Sequence, residues 1–536
     1  MTSIHIDTFV RDNMPASELQ PTFLFNLPEL QFEEHHNCVA ELLDRHILEG
    51  RGGRVCIRGK DLCWTYQDLF DRANQIANVL IHDMGLVPGN RVLLHSSNSA
   101  MMVACWFGIV KAGGIAVATM PLLRAKELKP ILSIAKISHA LCDATLSTEM
   151  RLAALESGSL RQLRHFNYVG PDSLEAAMER QPNVFNTLNT AGDDACLIAF
   201  TSGTTGIPKA RIHFHRDVMA ICACWPKYVL KPSADDVFIG SPPLAFTFGL
   251  GGLVLFPMTV GASTVLLEKA SPAQLLDGIK SYGATIMFTA PTSYRTLAAR
   301  GTEVRKSTLR RCVSAGEALP AATRKLWREE TGIELIDGIG ATEMLHIFIS
   351  ADEVDARDGA TGKVVPGYEA RVVDDEGKPV PFGTVGKLAV RGPTGCRYLA
   401  DERQKTYVND GWNLTGDAYL MDADGYFFYQ ARIDDMIVSA GYNIAAPEVE
   451  SALMMHPSVA ECAVIGEPDE ERGQIVKAFV ALRPGVAGDA AMVKTLQDFV
   501  KGTVAPYKYP RAIQFVEHLP RTQTGKLQHF KLRQPE

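Results

Sequence analysis

Residues 201–209 combine small, hydroxyl-bearing and cationic side chains directly after a short apolar run. The run at 195–199 has no helical spacing, which is typical of a buried strand that ends in a loop. Glycines let the loop backbone fold closely so that several N–H groups point one way, hydroxyls add donors, and Lys209 adds a positive charge. These features favour contact with a polyphosphate. The loop residues are Thr201, Ser202, Gly203, Thr204, Thr205 and Gly206.

This loop differs from a P-loop of the G-x-x-x-x-G-K-[ST] kind, because the spacing is different and Pro208 precedes the lysine. A flexible polar linker has a similar composition, but linkers seldom follow a buried strand this abruptly. The sequence therefore predicts a phosphate-binding loop outside the P-loop class.

Length and composition exclude several classes of protein. A chain of 536 residues exceeds a single core, so two to four domains or subdomains are expected. Hydrophobic residues make up 46% and charged residues 21%, without a low-complexity tract, which is not the composition of a disordered or fibrous protein. A net charge of −7 on this length gives no reason to expect nucleic-acid binding.

Cysteine usage favours a cytoplasmic protein. The 11 cysteines are scattered and include no C-x-x-C pair. The closest spacing, Cys222-Ala-Cys224, favours packing over metal binding, so free thiols in a reducing compartment are expected. Residues 1–32 lack the apolar core of a signal peptide.

Residues 237–267 contain no charged side chain and are long enough to cross a bilayer. Pro242, Pro243 and Pro257, together with several glycines, interrupt this stretch. The interruptions favour a buried, substrate-lining segment over a membrane span.

Strand and helix patterns alternate along most of the chain, which predicts an α/β fold. Residues 64–80 have a helical apolar face after Thr65, with strands predicted at 91–95, 115–119, 195–200, 264–267, 285–289 and 311–314. Such alternation implies parallel sheets covered by helices on both faces, with ligands at the carboxyl ends of the strands.

The pattern changes near residue 365. Antiparallel hairpins are predicted at 369–373 and 386–390, and a small α+β unit follows Asp434 and Asp435. The predicted division is an N-terminal domain at 1–432, with a β-rich subdomain at about 365–432, and a C-terminal domain at 433–536.

Further polar clusters follow predicted strands in the second half of the chain. Ser314-Ala315-Gly316-Glu317 is a small-residue turn of a common kind. Asp337-Gly-Ile-Gly-Ala-Thr-Glu343 ends with a hydroxyl and a carboxylate, so Thr342 could contact a phosphate and Glu343 could hold Mg²⁺; an exposed acid at a strand end is the alternative.

Three more candidate sites, with four residues, also have a structural interpretation that involves no ligand. Asp417, in Thr415-Gly416-Asp417, could accept both ribose hydroxyls or could form a simple Asx turn. Arg432 and Asp434 could belong to a domain junction or to a solvated linker. Lys526 follows a glycine turn in Pro520-Arg-Thr-Gln-Thr-Gly-Lys526, but other lysines lie in the same tail.

The motifs together, in their order and spacing across about 330 residues, resemble the motif series of the adenylate-forming superfamily of acyl-CoA synthetases, adenylation domains and luciferases. Ile339 stands where many members have a tyrosine that packs on adenine, and here the chain resembles benzoate- and aminobenzoate-type CoA ligases. The run from Tyr429 to Pro447 is most similar to the 2-aminobenzoate (anthranilate) branch. These positions lie near the nucleotide and the hinge, so they support kinship more than substrate choice.

The resemblance implies ATP, Mg²⁺ and CoA as ligands and assigns roles to the nucleotide motifs. The loop at 201–206 with Lys209 would hold the β- and γ-phosphates, Glu343 the Mg²⁺, and Thr342 the α-phosphate. Ribose and adenine would be bound by the remaining motif residues. These are Asp417 and Arg432 for ribose, and Ser314, Ala315, Gly316, Glu317, Asp337, Gly338 and Ile339 around adenine.

The same resemblance implies a mobile C-terminal lid domain that swings about Asp434. Lys526 would bridge the substrate carboxylate and the α-phosphate during adenylation, and the Gly441 segment would face the pantetheine tunnel afterwards. The aryl pocket would use Phe246, Thr247, Phe248, Gly340, His346 and Ile347; a packed strand histidine is the alternative for His346.

The predicted activity is the ATP-dependent activation of an aromatic carboxylate, 2-aminobenzoate being favoured, as an acyl-AMP that is transferred to CoA. Alternatives are a benzoate or other aryl- or acyl-CoA ligase, an enzyme that loads a carrier-protein thiol, and a non-catalytic nucleotide-binding relative. A membrane transporter is suggested only by residues 237–267. The expected partners are small molecules, and either a monomer or a homodimer is compatible with the sequence.

Overall fold

The computed structural model describes residues 2–201, 207–433, 436–439, 442–469, 471–521 and 527–533. Its mixed α/β architecture confirms the predicted fold class, and the strands Arg91–His95, Ile115–Thr119 and Arg311–Ser314 have the predicted bounds. The sheets divide into two large helix-covered sheets, one antiparallel sheet and two small sheets near the C-terminus.

The first large sheet has six strands and carries the candidate phosphate loop. Its neighbouring strands are parallel except for the last pair, which forms an antiparallel hairpin around that loop. In spatial order the strands are Gln162–Phe166, His139–Asp143, Arg91–His95, Ile115–Thr119, Ala195–Thr201 and Lys209–Phe214.

The second large sheet has nine strands, with a parallel centre and antiparallel edges. Ser314 is paired with Thr289 on one side and with Asp337 on the other, so three strand ends meet at the same edge. In spatial order the strands are Lys363–Val364, Ile347–Ser350, Leu335–Gly340, Arg311–Ser314, Ile286–Thr289, Val237–Gly240, Ser263–Val265, Val55–Gly59 and Leu62–Thr65.

The uncharged stretch at 237–267 folds into short elements between two strands of this sheet. The strand Val237–Gly240 leads to the helical turns Thr247–Leu250, Gly251–Leu255 and Phe256–Val260, and the strand Ser263–Val265 follows. Within the described parts of the chain, no helix has the length and apolar character that a bilayer crossing needs.

Antiparallel sheets dominate the rest of the chain, as the hairpin patterns predict. The five-stranded sheet contains Glu369–Val373, Gly386–Arg391, Val408–Asn409, Trp412–Met421 and Phe427–Arg432. Beyond it lie the pair Met436–Ser439 and Tyr442–Ala445, and the three strands Val459–Asp469, Gly473–Leu482 and Ala512–Phe515. The domain boundary at 433 stays a prediction.

Local side chains set the ends of the first long helix. The helix Tyr66–Asn78 starts with the capping box that the sequence predicts: the Asp68 N–H donates to Thr65 Oγ1 at 3.1 Å, and the Thr65 N–H donates to Asp68 Oδ2 at 2.9 Å. A wider turn, Val79–Asp83, continues it as far as Gly85, which has φ of 68°.

The other α-helices cover the sheets. They are Phe9–Asp12, Arg45–Leu48, Ala100–Lys111, Ala125–Ile134, Ser147–Ser157, Leu174–Glu179, His215–Ala223, Pro272–Tyr282, Pro291–Ala298, Gly301–Arg305, Ala321–Thr331, Gln404–Tyr407, Ala446–Met454, Ala490–Thr503 and His529–Leu532. Shorter helical turns are Ser17–Leu19, Pro28–Leu30, Ala40–Asp44, Ala144–Leu146, Pro226–Leu230, Thr342–Met344 and Pro506–Lys508.

Candidate active site

The strand after the phosphate loop presents a row of basic side chains to the site. Lys209, Arg211 and His213 occupy alternate positions of Lys209–Phe214, so they lie on one face of the sheet. His213 Nε2 lies 2.8 Å from the Thr342 carbonyl oxygen, which it can bond as a donor. This contact brings the strand and the Thr342–Met344 turn together.

Glu343 is the centre of a buried polar cluster. Its Oε1 accepts a hydrogen bond of 2.8 Å from Arg211 Nε and one of 2.7 Å from the Tyr398 hydroxyl, and Arg211 Nη2 donates a further one at 2.5 Å. Arg211 also donates to the Thr201 hydroxyl. The structure therefore joins the predicted residues Thr201 and Glu343 through an arginine that lies between them.

The charge of Arg211 keeps Glu343 ionised in spite of its burial. Burial raises the pKa of Glu343, but the guanidinium of Arg211 and the hydrogen bond from Tyr398 outweigh burial, so the pKa lies below its ordinary value. The whole Glu343 residue is only 7% exposed. Removing one partner from such a pair would leave an uncompensated buried charge.

Lys209 lies beside this cluster. Its Nζ is 5.5 Å from the centroid of the Tyr398 ring. Burial lowers the pKa of Lys209, Glu343 opposes this shift, and the nearby positive charges of Arg211 and Arg403 add to it. A cation in such a position is well suited to receive a polyanion.

Arg403 fixes the end of the candidate phosphate loop. Arg403 donates hydrogen bonds to the carbonyl oxygens of Ile207 at 3.1 Å and Pro208 at 3.4 Å. Ser202, Gly203, Thr204, Thr205 and Gly206 lie outside the described residues, so their predicted phosphate contacts stay predictions.

The predicted adenine turns lie side by side at the edge of the nine-stranded sheet. Ser314 and Asp337 are paired across neighbouring parallel strands, and Gly316 has φ of 91° in the turn that contains Ala315 and Glu317. The Ser314 hydroxyl is buried and has no hydrogen-bond partner among the described residues. Gly338 and Ile339 continue the strand beyond Asp337.

Asp337 is a buried acid whose ionisation opposes folding. Burial raises its pKa from 3.8 to about 7, although the charge of Arg324 acts in the opposite direction. The folded protein therefore binds this proton more tightly than the unfolded chain does. As a result, stability falls as the pH rises from about 4 to 7.

We expect Asp337→Asn to remove this part of the pH dependence. Between pH 5 and pH 8.5 the wild-type free energy of unfolding should fall by on the order of 2–4 kcal/mol more than that of the variant. Urea unfolding of both proteins at the two pH values measures the difference. Parallel pH dependence in both proteins would assign the loss to other groups.

The predicted ribose residues form an ion pair. Arg432 Nη1 lies 2.9 Å from Asp417 Oδ1 and also donates to the Thr415 carbonyl oxygen at 3.2 Å. Burial raises the pKa of Asp417, Arg432 lowers it, and the charge of Glu343 raises it further. Burial outweighs Arg432, so the pKa of Asp417 lies above its ordinary value.

His346 lies in a nest of aromatic rings close to Glu343 in sequence. Its ring centroid is 4.5 Å from that of Phe256, 5.6 Å from Trp225 and 5.8 Å from Phe248. A Cβ at Gly251 would clash with the His346 ring, so glycine is needed there. Burial lowers the pKa of His346 to about 3, with a smaller opposing effect from the Phe248 backbone, which leaves the imidazole neutral at physiological pH.

The other predicted aryl residues are close in sequence to Phe248 or His346 of this nest. Phe246 and Thr247 stand at the start of the helical turn Thr247–Leu250. Gly340 is paired with Ile347, and a Cβ at Gly340 would lie 2.9 Å from the His346 carbonyl oxygen. The turn at 341–346 thus connects the aromatic nest directly with Glu343.

Besides the loop residues at 202–206, three further predicted residues lie outside the described parts of the chain: Asp434, Gly441 and Lys526. Sequence reasoning missed Arg211, Tyr398 and Arg403. Arg211 carries a signal, since its alternation with Lys209 on a strand places both side chains on one face. Tyr398 and Arg403 have no such local signal, because their contacts depend on how the distant segments pack.

The sequence matches two family descriptions. The "AMP-binding enzyme" family covers residues 44–398, and "AMP-binding enzyme C-terminal domain" covers residues 448–526. The benzoate–CoA ligase of Thauera aromatica is 35% identical over 515 residues, which cover 94% of this chain and 97% of that protein.

Solved structures give the same relationship. The anthranilate CoA ligase AuaEII in complex with anthranoyl-AMP has a TM-score of 0.89 at 36% identity, covering 94% of this chain and 98% of that one. A benzoate CoA ligase from Burkholderia xenovorans LB400 has a TM-score of 0.86 at 30% identity, covering 93% of this chain and 100% of that one. The chain belongs to the AMP-binding, adenylate-forming enzyme family and is related to the benzoate–CoA ligases.

Proposed function

We propose that this protein is an ATP-dependent acid–thiol ligase that converts an aromatic carboxylate, 2-aminobenzoate in preference, into its CoA thioester. The observation that carries the proposal is the aromatic nest around a neutral His346, which one short turn connects to an ionised Glu343. A planar apolar acid and a magnesium–phosphate group would thus be bound side by side.

The chemistry requires two steps, because a carboxylate has no good leaving group. In the first step a carboxylate oxygen attacks the α-phosphorus of ATP, and pyrophosphate leaves. In the second step the CoA thiol, having lost its proton, attacks the acyl carbon, and AMP leaves. Charge develops on phosphate oxygens in the first step, so fixed cations and donors supply most of the acceleration.

We assign these roles to individual residues of the chain. Lys209 would stabilise the pyrophosphate that leaves, and Thr342 would donate to the α-phosphate. Asp417 would accept the ribose hydroxyls, and Arg432 would hold that side chain through their ion pair. Lys526 would stabilise the developing charge between the carboxylate and the α-phosphate.

Glu343 is suited to hold Mg²⁺. This hard cation takes carboxylate, water and substrate phosphate oxygens, and it commonly uses only one or two protein carboxylates. The side-chain hydrogen bonds described for Glu343 all reach Oε1 and keep the group ionised. Bound there, Mg²⁺ would neutralise phosphate charge.

The aromatic nest around His346 is evidence for an aromatic acid as substrate, and it is weaker evidence for an ortho substituent on that acid. Aromatic walls favour a planar ring, and neither nitrogen of His346 makes a well-formed hydrogen bond with a described residue. A neutral imidazole can donate to a carboxylate or accept from an ortho-amino group. The relationship to benzoate and anthranilate CoA ligases supports the same class of substrate.

A panel of acids tests this proposal. With ATP, Mg²⁺ and CoA, kcat/KM for CoA-ester formation should be highest for 2-aminobenzoate, lower by about tenfold for benzoate, and lower still for octanoate. A preference for benzoate would contradict the ortho-amino assignment. A preference for octanoate over every aromatic acid would contradict the aryl pocket itself.

A further inference from the structure

Two buried thiols and one imidazole converge at a point where three distant segments of the chain meet. Cys38 Sγ lies 3.3 Å from Nδ1 of His215. The ligand atoms of Cys38, Cys196 and His215 all lie within 4.8 Å of one another. Among the described residues, this is the one group of three such side chains in metal-binding proximity.

The three side chains are held in place by ordered backbone. Cys196 is in the strand Ala195–Thr201. His215 is the first residue of the helix His215–Ala223, and its backbone N–H donates to the Asp194 carbonyl oxygen at 3.2 Å. The segment before Cys38 is fixed by Asn37, which donates to the carbonyl oxygens of Val110 and Leu188 at 3.1 and 3.2 Å. Pre-ordered ligands lose little freedom when an ion binds.

The imidazole nitrogen nearest the Cys38 thiol is unprotonated, and its single lone pair accepts a backbone hydrogen bond that a bound ion would replace. The backbone N–H of Cys38 donates to His215 Nδ1 at 3.2 Å, which requires this nitrogen to be unprotonated. An unprotonated ring nitrogen is the form that ligates a metal ion. Among the described residues, the remaining buried cysteines belong to no such group of three ligating side chains, and they behave as small apolar side chains.

We propose that Cys38, Cys196 and His215 form a binding site for a zinc ion. Zn²⁺ accepts thiolate and imidazole ligands with bonds of about 2.3 and 2.0 Å, which places ligand atoms in a tetrahedron roughly 3.5–3.8 Å apart. The distance of 3.3 Å between Cys38 Sγ and His215 Nδ1 is close to this value, and the other ligand atoms, all within 4.8 Å of one another, would have to move by about 1 Å or less. Both thiols release their protons to solvent when the ion binds, and the fourth position is left to a small ligand such as water.

This site has a different place and role from the Mg²⁺ position at Glu343. It connects the N-terminal segment with the strand that leads into the phosphate loop and with the helix behind that strand. Soft thiolates select Zn²⁺ over Mg²⁺, so the two ions would not compete for one site. The ion would act as a structural cross-link, and its presence does not depend on the proposed ligase activity.

Metal analysis of the whole, tag-free protein tests the proposal. Protein reconstituted with Zn²⁺ in the presence of a non-thiol reductant and then dialysed should retain one zinc per chain. Cys38→Ala and Cys196→Ala should each lower zinc content by about tenfold or more. Cys105→Ala, at another fully buried cysteine, should leave it unchanged. A wild-type protein without zinc, or both ligand variants with full zinc, would overturn the proposal.

X-ray absorption at the zinc edge keeps the test decisive if the variants do not fold. The wild-type protein should show two sulfur neighbours at about 2.3 Å and one or two nitrogen or oxygen neighbours at about 2.0 Å. A first shell of nitrogen and oxygen alone would place the ion elsewhere and contradict the site.

Discussion

Replacement of Lys526 by alanine is expected to reduce the release of pyrophosphate from ATP and an aromatic acid by about 10²–10³-fold. The reason is that Lys526 is assigned to stabilise the charge that develops between the carboxylate and the α-phosphate, and loss of one such group has an effect of this size. The thiol attack on preformed aryl-AMP should keep most of its rate, since the same charge does not develop there.

Two measurements separate these half-reactions. A coupled pyrophosphate assay follows adenylation, and mixing synthetic aryl-AMP with CoA follows thioester formation. Lys531→Ala, at another lysine of the C-terminal segment, is the matched control and should leave both rates near wild type. Equal losses in both half-reactions of Lys526→Ala would contradict the assignment of Lys526 to adenylation alone.

Glu343→Gln should have the second large effect, on both activity and stability. The variant loses the proposed ligand for Mg²⁺, so adenylation should fall by about 10²-fold or more, and a higher Mg²⁺ concentration should not restore it. Arg211 would also remain buried without its counter-ion, which should lower the free energy of unfolding by about 3 kcal/mol.

Denaturant unfolding measures the loss of stability. Adenylation rates, measured under conditions where the variant is folded, measure the loss of activity. Glu353→Gln is a suitable control, because Glu353 pairs with Arg311 at 2.9 Å in a more exposed position and its loss should cost less than about 1 kcal/mol. Adenylation near the wild-type rate in Glu343→Gln would show that this carboxylate does not hold the catalytic metal ion.

Much of the fold follows from local patterns. Strands such as Arg91–His95 and Arg311–Ser314 are buried apolar runs bounded by turns, and the Thr65 capping box fixes the start of its helix. Strand boundaries are less predictable than strand positions. The strand predicted at 264–267 is Ser263–Val265, although the apolar run continues to Leu267, because its paired residues on the parallel neighbour are only Val237 to Ile239.

The candidate site is only partly predictable. Thr201, Lys209 and Glu343 stand out by residue type next to strand ends, and the structure brings them together. The contact between Glu343 and Tyr398, by contrast, joins segments far apart in sequence and depends on tertiary packing. The same is true of Cys38, Cys196 and His215, which no local spacing connects.

Transfer of ¹⁸O from a labelled carboxylate is the most direct test of the proposed chemistry. If the acid is activated as an acyl-AMP, benzoate or 2-aminobenzoate labelled in both carboxyl oxygens will give AMP that carries one label, while the thioester keeps the other and pyrophosphate has none. Mass spectrometry of the products of ATP, CoA and labelled acid gives the distribution. Label in inorganic phosphate together with ADP, or unlabelled AMP, would contradict adenylate formation.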